Sequence, residues 1–258
     1  MNAFLTRSES LWRDWLDGRV PPLAPPVASL FDLDAMPEPW LDFEAGAKPL
    51  VVLTTNPGGT MDHQRRSSIL RGDGPVQADM SYARAAQVLA AHYREVLAGT
   101  SAGRRIRSLL AVAHEAGYDG VLQAECIPWH SADLPNKARL LGLLPREPHL
   151  VAYLRDLRSF LGPRPVLAVS AVSSRVDLAD REAPLSPWLE LQADLLGIDP
   201  RRAERHALVQ KGARVTATAL VDRSSAEPKA LVLMMGSNNL PGAEGTGRLV
   251  EALRAGGS

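Results

Sequence analysis

The stretch LVVLTTNPGG at residues 50–59 decides the fold of this chain. Its first five residues form a continuous apolar run, which is typical of a strand buried on both faces of a sheet. Two more apolar runs, 121–126 and 231–235, also end in polar segments, PWHS at 128–131 and SNNLP at 237–241. Ligands of open α/β sheets bind outside the carboxyl ends of the strands, so these three segments predict one active site.

Helical patterns alternate with the strand runs, which predicts an α/β fold. We expect a single domain, 1–258, with three α/β/α layers around a central, mostly parallel sheet of four to five strands. Residues 1–49 should hold a helix at 8–18 and a proline-rich segment without regular structure that wraps the domain. Residues 171–230 read as an insertion between the last core strands, with 214–220 as a candidate strand at the sheet edge. Other helices are predicted at 81–98, 104–116, 149–161, 184–198 and 245–255.

Composition limits the classes of function. The chain has 258 residues, of which 45% are hydrophobic, enough for one sizeable core. Lys plus Arg and Asp plus Glu both number 29, so any nucleic-acid surface must be a local basic patch. The single Cys126 rules out an internal disulfide or a cysteine-ligated metal cluster. With neither a signal segment nor a run of roughly 18 apolar residues, we expect a cytoplasmic monomer that does not bind a membrane.

The first polar segment offers groups that suit a planar polar ligand or an anion. Asn56 carries both a carbonyl acceptor and an amide donor, and Gly58 and Gly59 leave backbone N–H groups accessible. Thr60 and Asp62 follow closely and would line the same loop. Residues of this type also build ordinary strand-to-helix turns, and that alternative stays open.

The second segment combines a carboxylate with an aromatic side chain. Glu125 lies inside an apolar strand, where a carboxylate is costly unless it is paired or functional, so it is a buried hydrogen-bonding hub or a site residue. Trp129, His130 and Ser131 follow the strand, and such groups can stack a flat base and bind its edge. Core packing of Trp129 explains the pattern equally well.

The third segment suits a nucleic-acid backbone. Ser237, Asn238 and Asn239 offer donors of the kind that contact phosphates, and Leu240 is an apolar residue able to enter a base stack. A polar loop in which Leu240 packs inward is the alternative.

Two of these segments carry a resemblance to a known family. Asn56-Pro57-Gly58 resembles the water-activating loop of the mismatch-specific and single-strand-selective branches of the uracil-DNA glycosylase superfamily, and SNNLP at 237–241 resembles its minor-groove intercalation loop. The resemblance implies that Asn56 orients water, that Ser237 and Asn238 grip the backbone, and that Leu240 fills the gap left by a flipped nucleotide. The chain departs from the family where Ser-Asn-Asn replaces the usual His-Pro-Ser or Asn-Pro-Ser, and PWHS is not the usual second motif.

The resemblance implies a uracil-DNA glycosylase-like fold and a DNA glycosylase that hydrolyses the N-glycosidic bond of a flipped, damaged or modified base, without metal or organic cofactor. Gly58 and Gly59 would shape the pocket, and Glu125 or His130 would read or protonate the base. DNA would be the partner, in base excision repair or phage defence. Two alternatives are a catalytically altered protein that binds nucleic acid or a modified base, and a small-molecule nucleotide hydrolase. We find no nucleophile elbow, Walker loop or dinucleotide fingerprint.

Overall fold

The apolar run at 50–54 forms a strand at its predicted bounds, and all five residues are buried. The computed structural model of the chain describes residues 2–131, 137–173, 175–183, 185–224, 227–236 and 239–254. The strands in these ranges are β1 Trp40–Phe43, β2 Leu50–Thr54, β3 Val121–Glu125, β4 Val166–Val172, β5 Glu204–Lys211, β6 Arg214–Asp222 and β7 Lys229–Met235.

These strands form a seven-stranded sheet of order β1-β3-β2-β4-β7-β6-β5. β4 pairs in parallel with β2 and with β7, whereas β6 pairs antiparallel with β7 and with β5. The α/β class is therefore correct, but the prediction of four to five strands is wrong. The additional strands come from the proline-rich segment and from 171–230, neither of which has a continuous apolar run of the kind that marks β2.

Nine α-helices lie within the described residues, and most cover segments with a predicted helical pattern. Helices α3 and α6 were not predicted, because six and seven residues are too few to show a helical period. The helices are α1 Ala3–Leu16, α2 Pro25–Ala28, α3 Arg66–Arg71, α4 Tyr82–Val96, α5 Ser101–Glu115, α6 Lys137–Leu143, α7 Pro148–Leu161, α8 Pro187–Leu196 and α9 Ala243–Arg254. In the described part of the chain, no helix is both long and apolar enough to span a membrane.

Helix α1 begins five residues before its predicted start. The side chain of Asn2 caps it by accepting a hydrogen bond from the Phe4 N–H at 3.0 Å. Ser8, where the helix was predicted to begin, is buried inside it, and its hydroxyl donates to the Phe4 carbonyl. The Phe4 ring packs against Phe160 with a centroid distance of 4.8 Å, which docks the first turn.

The proline-rich segment does contain regular structure, contrary to prediction. Pro25 and Pro26 occupy the first turn of α2, where a missing N–H costs nothing. Pro39 lies just before the edge strand β1, a position that proline tolerates. Trp40 and Phe43 are buried and anchor this segment.

Close contacts divide the chain into two units. The first consists of Met1–Phe43, Thr54–Val96 and Gln123–Phe160, and the second of Glu44–Leu53, Leu97–Leu122 and Leu161–Ser258. In the second unit, the segment 171–230 includes α8, β5 and β6. Because β6 lies between β5 and β7, the prediction of an edge strand at 214–220 is wrong. Residues on both faces of β6 are buried, including Ala217 and Thr218, although its small and polar residues resemble those of an exposed strand.

Helix α9 offers a matched pair of glycines that tests the packing of the second unit. A Cβ at Gly245 would lie 2.7 Å from Pro241 Cβ and 2.8 Å from Val209 Cγ2, whereas a Cβ at Gly247 would meet nothing within 4 Å. We expect Gly245→Ala to lower the free energy of unfolding by about 1–3 kcal/mol through overpacking. Gly247→Ala should raise it by about 0.5–1 kcal/mol, because alanine favours helix. Urea unfolding of both variants measures the difference, and equal effects would contradict this packing.

Candidate active site

The loops that follow β2 and β3 are joined in the first unit. The Ile127 N–H donates to the carbonyl of Thr55 at 3.0 Å, which continues backbone pairing past the strand ends. Further along, the Ser131 N–H donates to the carbonyl of Gly58 at 2.8 Å. The first two polar segments of the sequence therefore form one structure, in which each loop limits the movement of the other.

Asn56 is half-buried at the start of the first loop, and its amide has a defined orientation. Its Nδ2 donates to the main-chain carbonyl of Ser131 at 3.3 Å. A carbonyl accepts but does not donate, so the amide nitrogen must face Ser131, and Oδ1 remains the acceptor for another group. Gly58 has φ +89°, a left-handed conformation that favours glycine, and Gly59 is exposed. The loop thus presents the oriented Oδ1 of Asn56 beside a turn in which Gly58 and Gly59 carry no side chains.

A buried ion pair lies behind this loop. His130 is fully buried and Glu38 is 1% exposed, and His130 Nε2 lies 3.0 Å from Glu38 Oε1. Glu38 comes from the proline-rich segment, and its N–H donates to the carbonyl of Pro128 at 2.7 Å. The sequence did not lead us to Glu38, although a carboxylate between Pro37 and Pro39 in an apolar stretch was a usable signal.

The Glu38 carboxylate is the centre of a larger buried network. Its Oε1 also accepts hydrogen bonds from the Tyr93 hydroxyl at 2.8 Å and from Gln64 Nε2. Gln64 Nε2 contacts the Tyr93 oxygen as well, and Gln64 Oε1 accepts from the Met61 N–H. Tyr93 lies on α4, and Gln64 lies in a short 3₁₀ helix after the first loop. One carboxylate oxygen therefore joins four separate segments of the chain.

The electrostatics of this network favour a charged His130. Burial by itself would lower the pKa of His130, but the charge and hydrogen bond of Glu38, with the Gly59 backbone and Glu125, raise the pKa above its usual value. Burial raises the pKa of Tyr93 well above its usual value, and the charge of Glu38 adds to this effect. Glu38 therefore stabilises the protonated form of His130.

A second carboxylate from the proline-rich segment joins the same two loops. The Asp32 N–H donates to the carbonyl of His130 at 2.9 Å, and Asp32 Oδ2 accepts from the Thr60 hydroxyl at 2.8 Å. Arg65 Nη1 lies 3.5 Å from Asp32 Oδ2. The segment that we expected only to wrap the domain thus supplies side chains that hold the candidate site.

The remaining site residues of the second segment are also shielded from solvent. Glu125 is 1% exposed and accepts a hydrogen bond from Gln123 Nε2 at 2.7 Å. Trp129 is 3% exposed, with its ring centroid 5.7 Å from that of Phe31. Ser131 is buried too. The structural alternative of core packing describes Trp129, and Glu125 is a buried carboxylate that is paired with Gln123.

In the first segment, the residues that reach solvent surround the turn. Gly59 and Asp62 are exposed, and Asn56, Gly58 and Thr60 are half-buried. Within the described ranges, no group of three or more His, Cys, Asp or Glu side chains is placed to hold a metal ion.

The third polar segment belongs to the second unit. Ser237 and Asn238 lie outside the described residues, Asn239 is exposed and Leu240 is half-buried. A groove of about 160 Å³ lies here, and we call it the α5 groove. It is lined by Ser101, Arg104, Arg105, Ser108, Asn239, Leu240 and Pro241.

The charged pair makes a prediction about stability and pH. A raised His130 pKa means that its contribution to stability is complete below about pH 6.5, the usual histidine pKa, and is lost as the pH rises through the higher pKa of the folded state. In Glu38→Gln the acceptor remains but the charge is gone, so burial should lower the His130 pKa. Protonation of His130 would then destabilise the folded protein, so the free energy of unfolding should fall on acidification.

Urea unfolding of both proteins from about pH 5 to about pH 9 measures this difference, because the other five histidines are common to both. The matched control is Glu95→Gln on the exposed face of α4, which should keep the wild-type profile. Parallel profiles for wild type and Glu38→Gln would contradict the charged pair.

Comparisons of the chain with protein-family models, with curated proteins and with solved structures find no match. The resemblance to the uracil-DNA glycosylase superfamily therefore depends on the quoted motif residues alone.

Proposed function

We propose that the chain hydrolyses the N-glycosidic bond of a damaged or modified nucleotide in DNA, with the Asn56 loop as the reaction centre. The observation that carries this proposal is the fixed amide of Asn56, whose Nδ2 is held by the Ser131 carbonyl. Its Oδ1 remains as an oriented acceptor for a water molecule. This is the role that the motif resemblance implies for Asn56.

The chemistry needs positioning more than it needs a strong base. As the glycosidic bond breaks, the sugar becomes positively charged and the base leaves with negative charge, so fixed dipoles in the right places lower the barrier. The amide of asparagine does not take up a proton at neutral pH, but it can hold water beside the sugar carbon. In our proposal, the backbone N–H groups of Gly58 and Gly59 approach the departing base, because neither residue has a side chain in the way.

Buried residues in this proposal act through the loop rather than on the substrate. His130 and Glu38 have almost no exposed surface, so we assign them as positioning residues. Their contact connects the second loop to the proline-rich segment. Two residues that follow Asn56 also bond to carboxylates of that segment, Gln64 to Glu38 and Thr60 to Asp32. Asn56 is then held at a defined place without making direct contact with a charged group. A three-layer, uracil-DNA glycosylase-like fold belongs to the same proposal.

One observation favours a second candidate, a protein that binds nucleic acid or a modified base without cleaving it. Glu125, Trp129 and His130 are all at most 3% exposed, so the groups expected to read or protonate a base are shielded in this conformation. If they stay shielded when DNA is bound, only the Asn56 loop is left for chemistry.

Asn56→Ala should separate the two candidates. Removing the water-orienting oxygen should slow base release about 100-fold or more, a loss of the size seen when one fixed polar group is removed from an active site. DNA affinity should change little, since phosphate contacts dominate it. Gln87→Ala, which removes an exposed amide on α4, is the matched control and should keep full activity.

The measurement is single-turnover release of the base from a panel of uracil-containing, deaminated and phage-modified DNAs, scored as alkali-sensitive abasic sites. Unchanged release in Asn56→Ala would contradict the proposal. Salt-dependent DNA binding without abasic product on any substrate would favour the second candidate, and absence of DNA binding at low salt would point to a small-molecule nucleotide substrate.

A further inference from the structure

A pocket of about 530 Å³ lies within the first unit, and we call it the α1 pocket. Its lining comes from one face of α1, from the chain at 19–22, and from Leu33, Pro37, Trp129 and His149. Of the candidate site residues that the structure describes, Trp129 alone lines this pocket. The α1 pocket is therefore distinct from the turn that presents Asn56.

The α1 pocket forms because the chain turns back after the helix. Gly18 has φ +75°, a left-handed conformation that glycine adopts at little cost. The Arg19 N–H donates to the carbonyl of Asp14 at 2.7 Å, so residues 19–22 stay beside the last turn of α1. The two prolines at 21–22 have no backbone N–H, so this wall of the pocket is apolar and poor in hydrogen-bond donors.

The guanidinium groups that line the pocket are already paired with carboxylates. Arg7 Nε lies 2.7 Å from Asp156 Oδ2. Arg19 Nη2 lies 2.7 Å from Asp14 Oδ1 and also 2.7 Å from Asp17 Oδ2. An anionic ligand would have to displace one of these carboxylates, and a cationic ligand would have to displace an arginine. The pocket therefore suits a neutral ligand.

Two indole rings give the pocket an aromatic lining. The ring of Trp15 stacks on that of Trp12 with a centroid distance of 5.5 Å, and its N–H donates to the Leu33 carbonyl at 3.2 Å. Because its one polar atom is bonded within the protein, Trp15 offers the pocket an apolar ring in a fixed orientation. Trp129 supplies the second ring. Flat aromatic groups pack on such rings by offset stacking or by edge-to-face contact.

The size and depth of the pocket match a small molecule. Its volume of about 530 Å³ lies within the range of about 300–1,000 Å³ that is usual for small-molecule sites, and its lining is mostly apolar, as in such sites. Trp15, Pro37 and Trp129 are buried, whereas Val20 and Pro22 are exposed. The pocket thus has a shielded aromatic end and opens to solvent near Val20.

The α1 pocket also adjoins the buried network behind the Asn56 loop. Pro37 directly precedes Glu38 in the chain, and Trp129 directly precedes His130. A ligand in the pocket would therefore contact the chain neighbours of both partners in the Glu38–His130 contact.

We propose that the α1 pocket binds a neutral, flat aromatic small molecule, which packs on Trp15 and Trp129 beside the Glu38–His130 contact. The paired charges, the two indole rings and the volume together define this ligand class. The proposal does not rest on base excision, since binding in this pocket needs no DNA and breaks no bond.

The test is fluorescence titration of the full chain with N-phenylnaphthylamine, a neutral aromatic dye that brightens in apolar surroundings. We expect saturable binding of one dye molecule per chain. Val20→Arg should weaken this binding about 10-fold or more, because a guanidinium at the mouth of the pocket would lose water against an apolar ligand. Val20→Leu keeps the mouth apolar and should bind the dye as the wild-type chain does.

Val96→Arg is the matched control. Val96 lies on α4, does not line the pocket and is 49% exposed, compared with 54% for Val20, so neither substitution should disturb folding. Absence of saturable dye binding to the wild-type chain, or equal loss in both arginine variants, would overturn the proposal. Equally tight binding of the anionic dye anilinonaphthalene sulfonate would overturn it too, because the pocket would then not select a neutral ligand. The titration contains no DNA, so its failure is distinct from failure of Asn56→Ala to slow base release.

Discussion

The architecture of the candidate site depends on one buried negative charge, the carboxylate of Glu38. A carboxylate with 1% exposure is costly unless it is paired and hydrogen-bonded. Here Oε1 accepts from Gln64 and Tyr93 and lies 3.0 Å from His130 Nε2, and the carboxylate stabilises the protonated form of His130. Loss of one partner would leave a buried charge without compensation, so the four chain segments that supply these groups hold one another in place.

This constraint explains how an exposed turn can hold the Asn56 amide in a defined position. The Asn56 loop contains glycines and a proline, and by itself such a loop has few interactions to fix its conformation. The Ser131 carbonyl accepts from the amide of Asn56, and His130, which precedes Ser131, belongs to the buried network. Thr60 donates to Asp32, whose N–H donates to the His130 carbonyl. Catalytic groups that act by position need support of this kind from surrounding side chains.

The sequence predicted those parts of the fold that have a strong local signal. The runs that became β2, β3 and β7 are continuous and apolar, so the pattern of apolar residues was enough to locate these strands and the loops that follow them. β1 was not predicted because prolines surround it and because a strand of only four residues has a weak sequence pattern. Glu38 was missed for the same reason, and its importance comes from partners up to 92 positions away in the chain, which no local pattern contains. At Glu125 and Trp129, two alternatives were open from the sequence, and only the burial of these side chains could compare them.

The most direct test of this account is the charge state of His130, observed by NMR of the protein with ¹⁵N-labelled histidine. The account predicts that the titration midpoint of His130 lies above the usual histidine pKa of about 6.5 and moves below that value in Glu38→Gln. A His130 midpoint at or below the usual value in the wild-type protein would contradict the stabilisation by Glu38 on which the site depends.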